Sequence, residues 1–213
     1  MKNVSIRKSS QFLKPVFFLL IMLLGFSSCK NDSIVLVKNG SSKYIIVIEQ
    51  EASEGVIFAA NEFQGYIEKI SEVKIPIENE EVENNSKHKI FVKATSIDID
   101  QIEISIEGDD LFIVGGSDAA VKNAVYELLD THLGCKWFSP TEEQIPALKK
   151  IELARTLNVS YTPDITTRTV HSRLFYDNHE FAGKHKVTTE SFPYYVPGAR
   201  VHTFHRFVPE EVY

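Results

Sequence analysis

Two helical stripes set among β-branched runs constrain this chain more than any other feature. From Ser53 onward, Val56, Ala59, Ala60, Phe63, Tyr66, Ile67 and Ile70 recur at steps of three and four. That step places them on one face of a helix. Ser53 is suited to cap it and Glu54 to sit in its first turn. A second stripe, Val121, Ala124, Val125, Leu128, Leu129 and Leu133, follows Gly115-Gly116-Ser117 and stops at Gly134.

Between the stripes the step changes to two. Residues 34–37 and 44–48 are β-branched runs around Asn39-Gly40, a pair that favours positive φ and tight hairpins, so an initial hairpin is expected. Residues 73–77 contain Pro76 and read as an edge strand. Residues 88–94 form another strand. Ile102, Ile104 and Ile106 alternate with Glu103, Ser105 and Glu107, as in a strand with one wet face. Gly108-Asp109-Asp110 turns the chain into residues 111–114. Short strands are expected at 136–138 and 150–153. The fold class is therefore α/β (α+β): a mixed β-sheet with two helices on one face, spanning residues 34–158.

The N-terminus is of another kind. Lys2, Arg7, Lys8 and Lys14 precede an apolar run at residues 16–26, then Ser27, Ser28 and Cys29. Eleven residues are too few for a membrane span. Basic segment, short apolar core and small residues make a secretory signal. Residues 1–28 are expected to be removed, leaving 29–33 as a linker. The whole chain carries 23 basic and 29 acidic side chains, a net −6. Without residues 1–28, which hold four bases and no acid, the rest is more acidic still. That balance excludes a general nucleic-acid binder. Two cysteines build no disulfide framework. Cys135 reads as a small buried apolar side chain.

Motifs for chemistry are few. Gly115-Gly116-Ser117 precedes a helix, whose free N–H groups can hold an anion, but a plain capped turn explains it equally. Five of the seven histidines lie after residue 170: His171, His179, His185, His202 and His205. His202-x-x-His205 with His179 or Asp177 could be a zinc site only if residues 201–204 were helical, and they read as extended. No metal and no cofactor is therefore expected. A polar pocket built from this His/Arg/Tyr-rich segment, or a loop region without a site, are the alternatives. Residues 165–174 resemble a strand, and the tail from Pro163 has the composition of a new domain.

The order of motifs resembles a known family. Ala59-Ala60-Asn61-Glu62-Phe63-Gln64-Gly65-Tyr66-Ile67 is followed by Val73-Lys74-Ile75-Pro76-Ile77. Then come Leu111-Phe112-Ile113-Val114-Gly115-Gly116 and Ala124-Val125-Tyr126-Glu127-Leu128-Leu129. Leu133-Gly134-Cys135-Lys136-Trp137-Phe138-Ser139-Pro140 and Ile145-Pro146 complete the series. It is similar to the N-terminal domain of α-glucuronidase-type proteins and DUF4838 lipoproteins. It is also similar to the small α/β domain before the barrel in family 20 β-hexosaminidases. Pro163-Asp164-Ile165-Thr166-Thr167-Arg168, Val201-His202-Thr203-Phe204 and Val208-Pro209-Glu210-Glu211-Val212-Tyr213 resemble the early barrel of the DUF4838 group.

The resemblance implies a carbohydrate-active lipoprotein whose complete form adds a (β/α)8 barrel, with catalytic carboxylates beyond Tyr213. Residues 159–213 would be the incomplete beginning of that barrel, which needs about 250 residues. The chain would then be interrupted and lack catalysis, so no catalytic residue is assigned within it. Ser27-Ser28-Cys29 resembles a lipobox, which implies a diacylated Cys29 and a lipoprotein of the outer membrane or periplasm; Lys30-Asn31-Asp32 resembles a surface-export signal, which implies display at the cell surface. A plain secretory signal is the alternative. Arg173, His202 and His205 are the candidate residues for lining a sugar pocket, Arg being suited to a uronate carboxylate. The second hypothesis is an anchored glycan-binding module using Trp137, Tyr194 and Tyr195 as platforms, although Trp137 also reads as core.

Overall fold

The computed structural model describes residues 32–80, 88–170 and 172–187. The chain divides into Met1–Asp32 and Ser33–Tyr213. The first unit lies almost wholly outside the described residues, so the account below concerns the second. Cys29, His171, Tyr194, Tyr195, His202 and His205 also lie outside them.

The elements follow in this order: β1 (Ser33–Lys38), β2 (Tyr44–Ile48), α1 (Glu54–Ser71), β3 (Ile77–Asn79), β4 (His88–Ala94), β5 (Ile102–Glu107) and β6 (Asp110–Gly115). Next come α2 (Asp118–Glu127), a π-helical turn (Leu128–His132), β7 (Lys136–Trp137), β8 (Glu143–Gln144), β9 (Lys150–Ala154) and β10 (Asn158–Tyr161). Two short helices close the series, α3 (Arg173–Tyr176) and α4 (His179–Lys184). Six strands make one sheet in the order β10-β5-β6-β4-β2-β3. The β3/β2, β2/β4 and β4/β6 pairs are parallel, and β5 is antiparallel to both of its neighbours. The protein is thus an α/β (α+β) domain with a mixed sheet.

Register explains the core. Ile46, Ile90 and Leu111 stand in one row across β2, β4 and β6. Val92, Ile113, Ile104 and Val159 make another row. Ala59, Ala60 and Phe63 of α1 and Ala120, Val121 and Ala124 of α2 join these rows in one apolar cluster, so both helices cover one face. Burying each large side chain stabilises by about 1.5–3 kcal/mol. The opposite face carries Phe91 stacked on Phe112, centroids 4.8 Å apart, with Lys89 and Lys93 reaching over the Phe91 ring.

Both helix starts are capped as the sequence implies. Ser53 accepts from the Val56 N–H and donates to Asp118 Oδ1 at 2.5 Å, which ties the start of α1 to that of α2. Ser117 accepts from the Ala120 N–H. Gly134, at φ 79, turns the chain out of the helical run.

Three expectations need correction. Asn39 and Gly40 do take positive φ, and a lone bridge joins Lys38 to Ser41. Yet no β1–β2 hairpin forms. β1 pairs antiparallel with β9, Ser33 opposite Ala154, while β2 enters the six-stranded sheet. Every residue of β2 is buried, and a strand buried on both faces belongs inside a mostly parallel sheet rather than in a marginal hairpin. The edge strand after α1 begins at Ile77 and not at Val73, because Pro76 offers no N–H to a ladder. The strand expected at 165–174 is absent from the described residues. Ile165 is 67% exposed, no neighbouring strand offers a ladder, and Arg173 instead opens a helical turn.

Candidate functional site

β7 sets Trp137 against the helix layer, where it is buried. Its indole N–H donates to the Tyr66 hydroxyl at 2.8 Å. That hydroxyl donates to Glu143 Oε2 at 2.8 Å, and Lys69 Nζ holds Glu143 Oε1 at 2.7 Å. Tyr126 lies on another side of the indole and donates to Glu62 Oε2 at 2.8 Å. Both tyrosine rings meet the Trp137 ring nearly edge-on, at 5.6 and 5.5 Å. Such geometry suits the ring quadrupoles. Trp137 is therefore core and not a glycan platform.

The electrostatics follow from this packing. Burial, reinforced by the bond to Glu143, pushes the Tyr66 phenol up; burial and the Glu62 charge do the same to Tyr126. Both stay neutral donors at physiological pH. Burial works against the Glu143 carboxylate, but the bonds from Lys69 and Tyr66 outweigh it and hold the carboxyl below its ordinary value.

The segment 172–187 docks on this cluster. Phe181 and Ala182 of α4 are buried. His185 Nε2 lies 3.1 Å from the Trp137 carbonyl oxygen, and its ring meets Phe181 and Phe175. Lys186 bonds Glu127, and Arg168 Nε donates to the Lys186 carbonyl at 3.1 Å. Burial opposes the Glu127 charge, yet Lys186 and Thr131 hold its carboxyl below the usual value.

The candidate residues do not converge. Arg173 opens α3 with its side chain 91% exposed and its Nε 3.5 Å from Asp177; it borders neither large cavity. His202 and His205 lie outside the described residues. His179 and Asp177 border one cavity together, but among the described residues no three His, Cys, Asp or Glu side chains gather closely enough to hold a metal. The glycine turn serves packing. A Cβ on Gly116 would stand 1.7 Å from the Asp98 carbonyl oxygen. The Gly116 N–H already donates to the Gln101 carbonyl, and Ser117 Oγ donates to that of Ile99 at 2.7 Å.

Two cavities of interest remain. One, of about 580 Å³, lies between residues 139–143 and α3–α4. The other, of about 550 Å³, opens beside Tyr161 between β10, α2 and Lys186. Glu143 and Phe181 carry no signal in the sequence; Tyr66 is legible only as part of the first helical stripe, His185 only as one of the clustered histidines, and the run Leu133-Gly134-Cys135-Lys136-Trp137 marks the region without its partners.

No family model matches the chain, and no curated protein matches it. Among solved structures the chain is similar to a GH20 exo-β-N-acetylglucosaminidase from Vibrio harveyi, at 15% identity and TM-score 0.46, over 73% of this chain and 22% of that one. It is similar to a GH115 4-O-methyl-α-glucuronidase with specificity for decorated arabinogalactans, at 12% identity and TM-score 0.46, over 64% and 19%. It is also similar to a GH138 enzyme targeting pectin rhamnogalacturonan II, at 14% identity and TM-score 0.40, over 59% and 16%. These neighbours are glycoside hydrolases, and the chain spans about a fifth of their length.

Proposed function

We propose that this chain is the accessory N-terminal domain of a lipid-anchored, glycoside hydrolase-like protein of the DUF4838 type. Its substrates would be glycans containing uronic acid or hexosamine. The chain itself performs no hydrolysis in this reading; it orients a catalytic barrel that begins after β10, since Asn158–Tyr161 belong to the six-stranded sheet. One observation carries the proposal: the segment leaving the domain is held at Phe181, at His185 on the Trp137 carbonyl, and at Lys186 on Glu127. A domain that grips its outgoing chain limits how freely a following domain swivels. Cys29 carries the lipid, and two acyl chains anchor stably. The protein then resides at the outer membrane, facing the periplasm or the cell surface.

The test has two arms. Purified chain is assayed on aryl uronosides and hexosaminides, with no turnover expected; clear turnover overturns the accessory reading. Palmitate labelling is compared between the native chain and Cys29→Ala. Label retained by the variant overturns the anchor.

A second reading, glycan binding without hydrolysis, is favoured by the open cavity beside Tyr161.

A further inference from the structure

The cavity beside Tyr161 has the chemistry of a sugar site. β10 ends there, leaving Tyr161 57% exposed, and Ile102 and Val159 add apolar wall. Asp100 approaches from the loop before β5, and Asn123 from α2. Among the described residues, the Asn123 amide, the Asp100 carboxylate and the Tyr161 hydroxyl bond no other protein group. One planar amide, one carboxylate and one phenol thus border a space that also offers an aromatic face.

Charge narrows the ligand. Asp100, Glu127, Arg168 and Lys186 all line this space, with His185 beside them, and Glu127 is already bonded to Lys186. The signs balance, so no ionic ligand is selected. A volume of about 550 Å³ lies in the ordinary range for small-molecule sites. The remaining demand is for a neutral molecule with one apolar face and adjacent hydroxyls at its edge. The face would lie on the Tyr161 ring. The hydroxyls would donate to Asp100 and exchange hydrogen bonds with the Asn123 amide, which can both donate and accept.

We propose that this cavity binds one neutral pyranose ring, stacked on Tyr161 and held by Asn123 and Asp100. The proposal deepens the carbohydrate-directed reading of the chain and rests on it. It needs neither the lipid anchor nor a catalytic barrel.

The test is saturation-transfer NMR on the full chain with the methyl glycosides of glucose, galactose, xylose and N-acetylglucosamine. Glucuronic acid serves as the charged comparison. At least one neutral glycoside should receive saturation, with a Kd on the order of 1 mM for so small a ligand. Tyr161→Ala should weaken it about tenfold, the size of a lost aromatic contact. Tyr161→Phe should retain most binding, and Asn123→Ala should weaken it. Tyr161 is exposed and Asn123 makes no side-chain bond, so folding of both variants is checked simply by circular dichroism. Absence of transfer to every neutral glycoside overturns the proposal. So does binding that survives both Tyr161→Ala and Asn123→Ala, and so does a preference for glucuronic acid. None of these outcomes touches the turnover or labelling arms, so the two readings fail separately.

Discussion

Trp137 and Tyr66 share a hydrogen bond of 2.8 Å in which the indole donates to the phenol oxygen, and the phenol in turn donates to Glu143. Residues from β7, α1 and β8 are joined by this one line. Removing the phenol oxygen by Tyr66→Phe leaves the buried indole N–H without its acceptor. The expected loss is about 1–3 kcal/mol. Trp137→Ala, which also empties the space between the two tyrosine rings, should cost about 3–5 kcal/mol. Urea unfolding measures both. A Tyr66→Phe variant as stable as the native chain would show that the line contributes nothing.

Acid should weaken the same region. The Glu143 and Glu127 carboxyls are held below the ordinary value of 4.5. A carboxyl lowered in the folded state stabilises above its unfolded pKa, and that contribution is lost as pH falls through the folded value. Both ion pairs are partly exposed, so each contributes only about 0.2–1 kcal/mol. Melting temperature should hold steady from neutral pH down to about 5 and then fall. In Glu143→Gln the fall should be shallower; an identical acid profile would remove Glu143 from the account.

Alkali acts on the phenols. Burial, with the Asp109 and Asp110 charges, pushes Tyr44 up to about 12, and Tyr66 and Tyr126 lie higher still. Raised values stabilise fully below the unfolded pKa of 10 and lose that stabilisation as pH rises through the folded values. Ultraviolet titration of the native chain should leave these three phenols protonated well above pH 10. In denaturant all should titrate together. Complete ionisation of the native chain near pH 10 would contradict their burial.

Glycine positions offer a test of sign. Ala at Gly116 would drive a Cβ into the Asp98 carbonyl, and Ala at Gly55 would meet Asp118 Cβ at 2.4 Å. Each should destabilise by about 1–3 kcal/mol, as overpacking does. Gly65 stands inside α1 with nothing within 4 Å of a built Cβ. Gly65→Ala should instead stabilise by about 0.5–1 kcal/mol. Thermal melts of the three variants settle the ordering, and a stabilised Gly116→Ala would refute the packing role.

Cys135 is fully buried, and burial lifts its thiol to about 11. In a Cys29→Ala chain, the remaining thiol should ignore a disulfide reagent under native conditions and react on addition of denaturant. Rapid native reaction would place Cys135 at the surface.

Local patterning made much of the fold legible. The stripe from Val56 to Ile70 is the buried face of α1, residue for residue, because a 3.6-residue period and solvent exclusion act on the same side chains. Ser53 and Ser117 were readable as caps for the same reason. Partner choice was not readable. Residues 33–38 declare a strand, but nothing in a period of two says that Ser33 lies opposite Ala154 rather than across the Asn39-Gly40 turn. The region around Trp137 escaped for a related cause: Tyr66 and Glu143 lie 77 residues apart and meet only after α1 docks. Arg173 attracted notice for its chemistry, yet a guanidinium at an exposed helix start forms no pocket.

The pairing of β1 with β9 also sets an order of events. A contact between residues so distant in the chain must first bear the entropy of closing a long loop, and such contacts slow folding. β1 emerges first during synthesis and its partner emerges more than a hundred residues later. Until then the backbone edge of β1 is unpaired, and an unpaired edge invites aggregation. The domain can reach its native closure only once residues 150–154 are available, so premature native closure is denied to any shorter nascent chain.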